Sequence, residues 1–172
     1  RGIVGMTIAH IGVGVFAIGV TVTQTYRIEK DIALRSGETV EMQGYTFAFN
    51  STRPVKGPNF DAIESEVTIT RDGKLVTTLH PQKRVYRVQR SPMTEAGIHV
   101  KWNRDLFVAM GDDLGAGAWS MRLQYKPMVR YIWLGALIMA IGGLVAITDR
   151  RYRRRRSTAD EAIAAGGAAT AG

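Results

Sequence analysis

The stretch Gly2–Tyr26, GIVGMTIAHIGVGVFAIGVTVTQTY, runs for 25 residues without a charged side chain. A hydrocarbon core about 30 Å thick needs roughly 20 apolar residues at about 1.5 Å per helical residue, so this stretch is long enough to cross it. It does not read as a cleaved leader, which has a compact apolar core of roughly 7–15 residues and a clear small-residue cleavage site. A second uncharged stretch, 131–148, opens on Tyr131 and Trp133 and is followed by Arg150, Arg151, Arg153, Arg154, Arg155 and Arg156. Aromatic residues at one interface and snorkelling arginines at the other suit a short span.

Those arginines also orient the chain. By the positive-inside rule the end after 148 is cytoplasmic, and two spans return the chain to the side it left, so Arg1 is cytoplasmic and residues 27–130 lie opposite. The intervening segment holds 16 basic and 12 acidic residues, but at this length it lies outside the rule's reach. The formal charge of +8 is thus a topology signal and no argument for nucleic acid; contact of the tail with anionic lipid is compatible with it. A mean hydropathy of −0.06 averages two apolar spans with a polar middle. With 172 residues the chain is one or two domains, which excludes a large multidomain enzyme. It opens on Arg1 rather than Met, and the expectation is a piece of a longer protein. Without cysteine it has no disulfide, thiolate metal site or C-x-x-C-H haem attachment of its own.

Between the spans the pattern changes to β. Glu66–Thr70 alternates, Arg71-Asp72-Gly73-Lys74 supplies an Asp-Gly turn, and Leu75–Leu79 runs back, a strong hairpin signal. Further strands are expected at Val40–Phe49, Arg84–Val88, Ile98–Trp102, Asp105–Ala109 and Trp119–Tyr125, broken by Pro54, Gly57-Pro58, Pro81, Pro92 and Gly111–Gly117. The fold class that follows is a membrane protein in which two transmembrane α-helices, 2–26 and 131–148, flank an antiparallel β-rich domain, sandwich or barrel-like, over 27–130. The Ala/Gly/Thr-rich end of the tail, 149–172, reads as disordered.

One residue invites a functional reading. His10 lies within the first span, where an ionisable side chain is costly and rare. At 100° per residue it shares a face with Ile3, Met6, Gly14, Ala17 and Thr21, while Gly5, Gly12 and Gly19 recur on the other side, where they would let another helix approach closely. Gly14 and Ala17 would leave a shallow space in which a flat macrocycle could lie beside the imidazole. Periodicity alone leaves two roles open: metal ligand, or a histidine hydrogen-bonded across to another helix. His80, before Pro81 at a turn, and His99, in a short strand, suit solvated or structural roles and are not spaced as a metal pair. No nucleophile motif, phosphate-cradling loop or catalytic carboxylate pair is visible.

Several segments together resemble one family. Arg104-Asp105-Leu106-Phe107-Val108-Ala109-Met110-Gly111, Gly117-Ala118-Trp119, Tyr125-Lys126-Pro127, Val129-Arg130-Tyr131-Ile132-Trp133 and Asp149-Arg150-Arg151-Tyr152-Arg153 are similar to the C-terminal part of the CcmF family, haem lyase subunits of bacterial cytochrome c maturation, with NrfE as a close relative. Gly5-Met6 through His10, Gly57-Pro58-Asn59-Phe60 and Met93-Thr94-Glu95-Ala96 match in the same order, so the resemblance covers about residues 1–155.

The resemblance implies a multi-pass inner-membrane protein with 27–130 in the periplasm. Such a protein receives haem from the chaperone CcmE, works with the maturation subunits CcmH and CcmI, and helps attach haem to apocytochrome c. It further implies that His10 is an axial ligand to the iron of a haem b, with the second ligand upstream and electrons passing to the delivered haem. The family's tryptophan-rich external segment and its external pair of haem-ligating histidines also lie upstream, and His80 and His99 do not match them. This segment alone should not complete the lyase reaction. The alternative is a haem-free membrane anchor displaying a periplasmic β scaffold for protein partners; a signalling sensor ranks last, for want of an effector domain.

Overall fold

A stretch rich in Gly, Val, Ile and Thr is a poor helix former in water, but in lipid every backbone N–H and C=O must be satisfied within the segment, and a helix does this. A computed structural model of the chain describes residues 2–88 and 90–148. It has helix α1 over Gly2–Tyr26 and helix α2 over Val129–Ile147, both long and apolar enough to cross a membrane. The arginine-rich tail expected to be cytoplasmic and disordered lies outside the described residues. The chain divides into two compact units, one holding the helices and the other the segment Thr21–Arg130.

In the helical unit Gly5, Gly12 and Gly19 are buried against α2. A Cβ at Gly5 would lie 2.5 Å from the amide nitrogen of Ala146, one at Gly12 would lie 2.6 Å from that of Met139, and one at Gly19 would lie 2.8 Å from that of Ile132. The fit is reciprocal, since a Cβ at Gly135 would lie 2.5 Å from the nitrogen of Phe16, and one at Gly142 would lie 2.7 Å from the carbonyl oxygen of Gly5. Backbone meets backbone, which is how small residues join helices where lipid offers no hydrophobic driving force.

The second unit is a β-sandwich. In chain order its strands are β1 (Ile28–Arg35), β2 (Thr39–Met42), β3 (Tyr45–Lys56), β4 (Phe60–Arg71), β5 (Lys74–Leu79), β6 (Gln82–Tyr86), β7 (Pro92–Glu95), β8 (Gly97–Val100), β9 (Arg104–Gly115) and β10 (Ala118–Pro127). One sheet has the order β1-β10-β9-β8; the other has β2-β3-β4-β6-β7, with β5 also on β4. Every pairing is antiparallel. Period-2 alternation puts Phe47, Phe49, Val67 and Ile69 of one sheet against Leu106, Val108, Met110, Met121 and Leu123 of the other.

The Asp72-Gly73 hairpin forms as the sequence suggests, both residues at positive φ (51° and 72°), the geometry of a type I′ turn. Four expectations need correction. Val40–Phe49 is two strands, because Gln43-Gly44 makes a second turn of the same kind (φ 53° and 72°). The strand expected at Arg84–Val88 lies two residues earlier, at Gln82–Tyr86, where it can pair with the upper half of β4. Pro54 does not break the chain; it sits in β3 opposite Ile63, on the half of that strand beyond its pairing with β2, where a missing N–H costs no ladder bond. Gly111–Gly117 is not one loop. β9 continues to Gly115 through two register shifts that keep Trp119 and Met121 inward, and only Ala116-Gly117 turns.

Phe47 has no exposed surface, so Phe47→Ala should cost about 3–5 kcal/mol. The expected outcome is a clear fall in the sandwich's unfolding midpoint, followed through the change in tryptophan emission as buried Trp119 becomes exposed, with the helices still present by circular dichroism.

Candidate functional site

His10 lies on α1, about 140–180° around the axis from Gly5, Gly12 and Gly19, and therefore on the side away from α2. Its Nδ1 is 2.7 Å from the carbonyl oxygen of Met6, one turn back on the same helix. A carbonyl only accepts, so Nδ1 carries the proton and donates, and the lone pair is left on Nε2 at the outer edge of the ring. A hydrogen bond across to α2 is thus not what holds this side chain. Fixing one nitrogen through its N–H orients the other, the arrangement metal-ligating imidazoles commonly use.

The surroundings of the ring are open and apolar. A Cβ at Gly14 would meet nothing within 4 Å, and Ile3, Met6 and Val13 are more than half exposed. A flat porphyrin of the kind implied by the resemblance fits this face: it gains one nitrogen donor, room beside the donor at Gly14, and aliphatic contact. Among the described residues no three His, Asp or Glu side chains converge as a metal cluster.

The other two histidines belong to the sandwich. His80 is exposed, with Nε2 3.9 Å from a Glu66 carboxylate oxygen. His99 is half-buried on β8, and its Nε2 has no hydrogen-bond partner. Burial, then the charges of Arg104 and Lys101, hold its pKa below the ordinary imidazole value, with Asp105 opposing. The two are not brought to a common site.

A groove of about 430 Å³ crosses the outer face of the four-stranded sheet, bordered by Asp31, Ala109, Gly111, Ser120 and Arg122. Its one cation is already engaged: Arg122 donates to both oxygens of Asp31 at 2.8 and 2.9 Å and lies 3.1 Å from Glu29. That hydrogen bond holds the Asp31 carboxyl below the usual carboxylate range, so the groove presents no spare charge for a ligand.

Two features escaped the sequence reading. Gly135 and Gly142 complete the glycine contact from α2, and their seven-residue spacing, equal to that of Gly5 and Gly12, was the available signal. The second is buried Arg104, 5% exposed. Its Nε donates to the Tyr45 hydroxyl at 2.8 Å, Arg71 donates to the same oxygen at 3.0 Å, and both guanidinium groups lie over the Tyr45 ring. Nothing in a linear reading joins positions 45, 71 and 104.

Comparison with known proteins comes down on one family. The model described as CcmF C-terminal beta-sandwich matches residues 25–127. The chain is 46% identical to cytochrome c-type biogenesis protein CcmF of Pseudomonas aeruginosa over 154 residues, covering 90% of this chain and 23% of that protein. It is 44% identical to CcmF of Escherichia coli over 162 residues, covering 92% and 25%, and 32% identical to NrfE of Haemophilus influenzae over 152 residues, covering 88% and 24%. The solved structure of cytochrome c heme lyase CcmF superposes with a TM-score of 0.66 at 24% identity, over 85% of this chain and 24% of that one, which supports the fold. The chain therefore spans about a quarter of the length of the curated relatives it matches.

His99 yields a pH prediction. Its folded pKa is depressed, so the unfolded chain binds more protons as pH drops below the ordinary value of 6.5, and the sandwich loses stability there. Thermal unfolding in detergent should show a lower midpoint at pH 5 than at pH 7. In His99→Gln the part of that drop occurring above pH 5 should shrink, because the carboxylates whose pKa values are depressed, Asp31, Asp61 and Glu64, lose their contributions only at lower pH.

Proposed function

The chain belongs to the CcmF family, and on that footing we propose that it is the C-terminal part of a cytochrome c maturation haem lyase subunit, in which His10 supplies one axial ligand to a haem b within the membrane. In this reading the spans 2–26 and 131–148 cross the inner membrane, residues 27–130 face the periplasm, and both Arg1 and the arginine-rich tail 149–172 are cytoplasmic. The sandwich serves as the docking platform for CcmE, CcmH, CcmI and apocytochrome c, supporting covalent attachment of haem to the apoprotein.

One observation carries the assignment of His10: Nδ1–H is committed to the Met6 carbonyl, so Nε2 presents its lone pair on the helix face left open by Gly14. A neutral imidazole avoids the cost of a buried charge, and the apolar helix face keeps the local dielectric low, two of the levers by which a protein sets a haem's potential. Bound there, the haem would supply one-electron redox chemistry. The chain's own part is to hold the ligating nitrogen in one tautomer and one orientation and to exclude water from its surroundings. The second ligand comes from outside this chain.

The test is the visible spectrum of the purified full-length protein. His10→Ala should lower haem retention at least about tenfold, since even the loss of a partner that merely orients a ligand costs about 10–100-fold in metal affinity. Unchanged b-type haem content in the variant would overturn the assignment and favour the haem-free anchor, for which the sandwich alone matters.

A further inference from the structure

The strand registers, and the Arg104–Tyr45 bond that joins the two sheets, gather at one end of the sandwich the Gln43-Gly44 and Asp72-Gly73 turns, the β8–β9 loop Lys101-Trp102-Asn103, and the residues through which the chain continues into its helices, Tyr26-Arg27 and Met128-Val129-Arg130. The β8–β9 loop is tied to one of those exits: the Met128 amide donates to the Asn103 carbonyl at 3.0 Å. Trp102, next to that bond, is 59% exposed, although burial of an indole is ordinarily favourable.

Charge is concentrated at the same end. Residues 26–28, 42–45, 70–75, 100–105 and 125–130 carry seven Lys or Arg and two Asp, out of 16 basic and 12 acidic residues between 27 and 130. The rest of the sandwich, with nine basic and ten acidic residues, is close to neutral. Among the described residues Arg104 has no carboxylate partner, only the Tyr45 phenol, and its Nη1 has no hydrogen-bond partner. Its positive charge is therefore not cancelled locally. Met128 precedes Tyr131 by three residues in the chain, so the tryptophan-tipped loop is tied to a residue close in sequence to the aromatic start of the second apolar helix.

We infer that this end of the sandwich is a membrane-docking surface, on which the loop Lys101-Trp102-Asn103 inserts Trp102 at headgroup level while the surrounding cations meet anionic lipid headgroups. The chemistry fits that occupant. An indole at the tip of a loop prefers the headgroup region, and each Lys or Arg near an anionic surface adds attraction that fades within a Debye length.

The absence of cysteine makes the test direct. A nitroxide is attached to the whole chain through Asn103→Cys, which leaves Lys101 and Trp102 in place, or through Val88→Cys, a 92% exposed position at the far end of β6. Each is reconstituted in nanodiscs of phosphatidylcholine containing phosphatidylglycerol. Collisions with oxygen, which concentrates in lipid, should dominate at 103, and collisions with a water-soluble nickel chelate should dominate at 88. Adding Trp102→Ala should move the label at 103 toward the values at 88, and Lys101→Gln should lower the ratio of lipid-seated to free loop about fivefold, the share of one basic residue at an anionic surface.

Equal nickel accessibility at 103 and 88 would overturn the proposal. Protection at 103 from both reagents would also overturn it, since it would mean that protein and not lipid covers the loop. Circular dichroism of each variant reports whether the domain is folded.

Discussion

Pairing of the first strand with the last governs the rest of the sandwich. From Ile28 opposite Tyr125 to Arg35 opposite Ala118, β1 and β10 keep an eight-residue register without interruption, and their outward faces are joined by the Arg122–Asp31 bond. Strands adjacent and antiparallel at the two ends of a segment bring its beginning and its end together. Both connections to the helices consequently leave from one place, and the junction is closed by backbone bookkeeping: the buried Thr23 hydroxyl donates to the Pro127 carbonyl at 2.8 Å, and the Arg27 amide donates to Thr23 at 3.1 Å. These bonds satisfy backbone groups that would otherwise need other partners.

Within the helical unit the same economy separates two tasks. Contact with α2 uses only hydrogen-sized side chains on one face of α1, so the attraction comes from close backbone approach and needs no polar residue. The opposite face is thereby left free for a chemically demanding residue. His10 places its proton on its own helix, at Met6, instead of spending it on a neighbour. A hydrogen bond across the helix pair would instead have turned the ring toward α2, away from the open face beside Gly14.

The parts of the structure that were legible in the sequence are those in which local pattern and tertiary demand agree. Alternation over Glu66–Thr70 and the Asp72-Gly73 pair specify a hairpin by themselves, and the uncharged run around His10 specifies a span. β1 was missed because Ile28-Glu29-Lys30-Asp31-Ile32-Ala33-Leu34-Arg35 is half charged, and only its neighbour β10, more than 80 residues later, makes a sheet position of it. Gly111 and Asp112 suggested a loop because glycine and aspartate do mark irregular backbone, but here the irregularity is a pair of bulges inside a strand. The face of α1 that bears His10 was readable from helical period; the identity of the packed partner, Gly135 and Gly142, needed the second helix in three dimensions.

Pro54 has a further consequence. Among the described residues no strand lies beside the outer edge of β3 beyond Phe49, and an open row of amides and carbonyls is an invitation for another copy of the same chain to add itself. A proline ring in the middle of that row deletes a donor and bulks out the edge, while the largely exposed Arg53 next to it adds charge. A domain held by membrane spans, and so confined to two dimensions at high local concentration, carries at this position its own safeguard against polymerising.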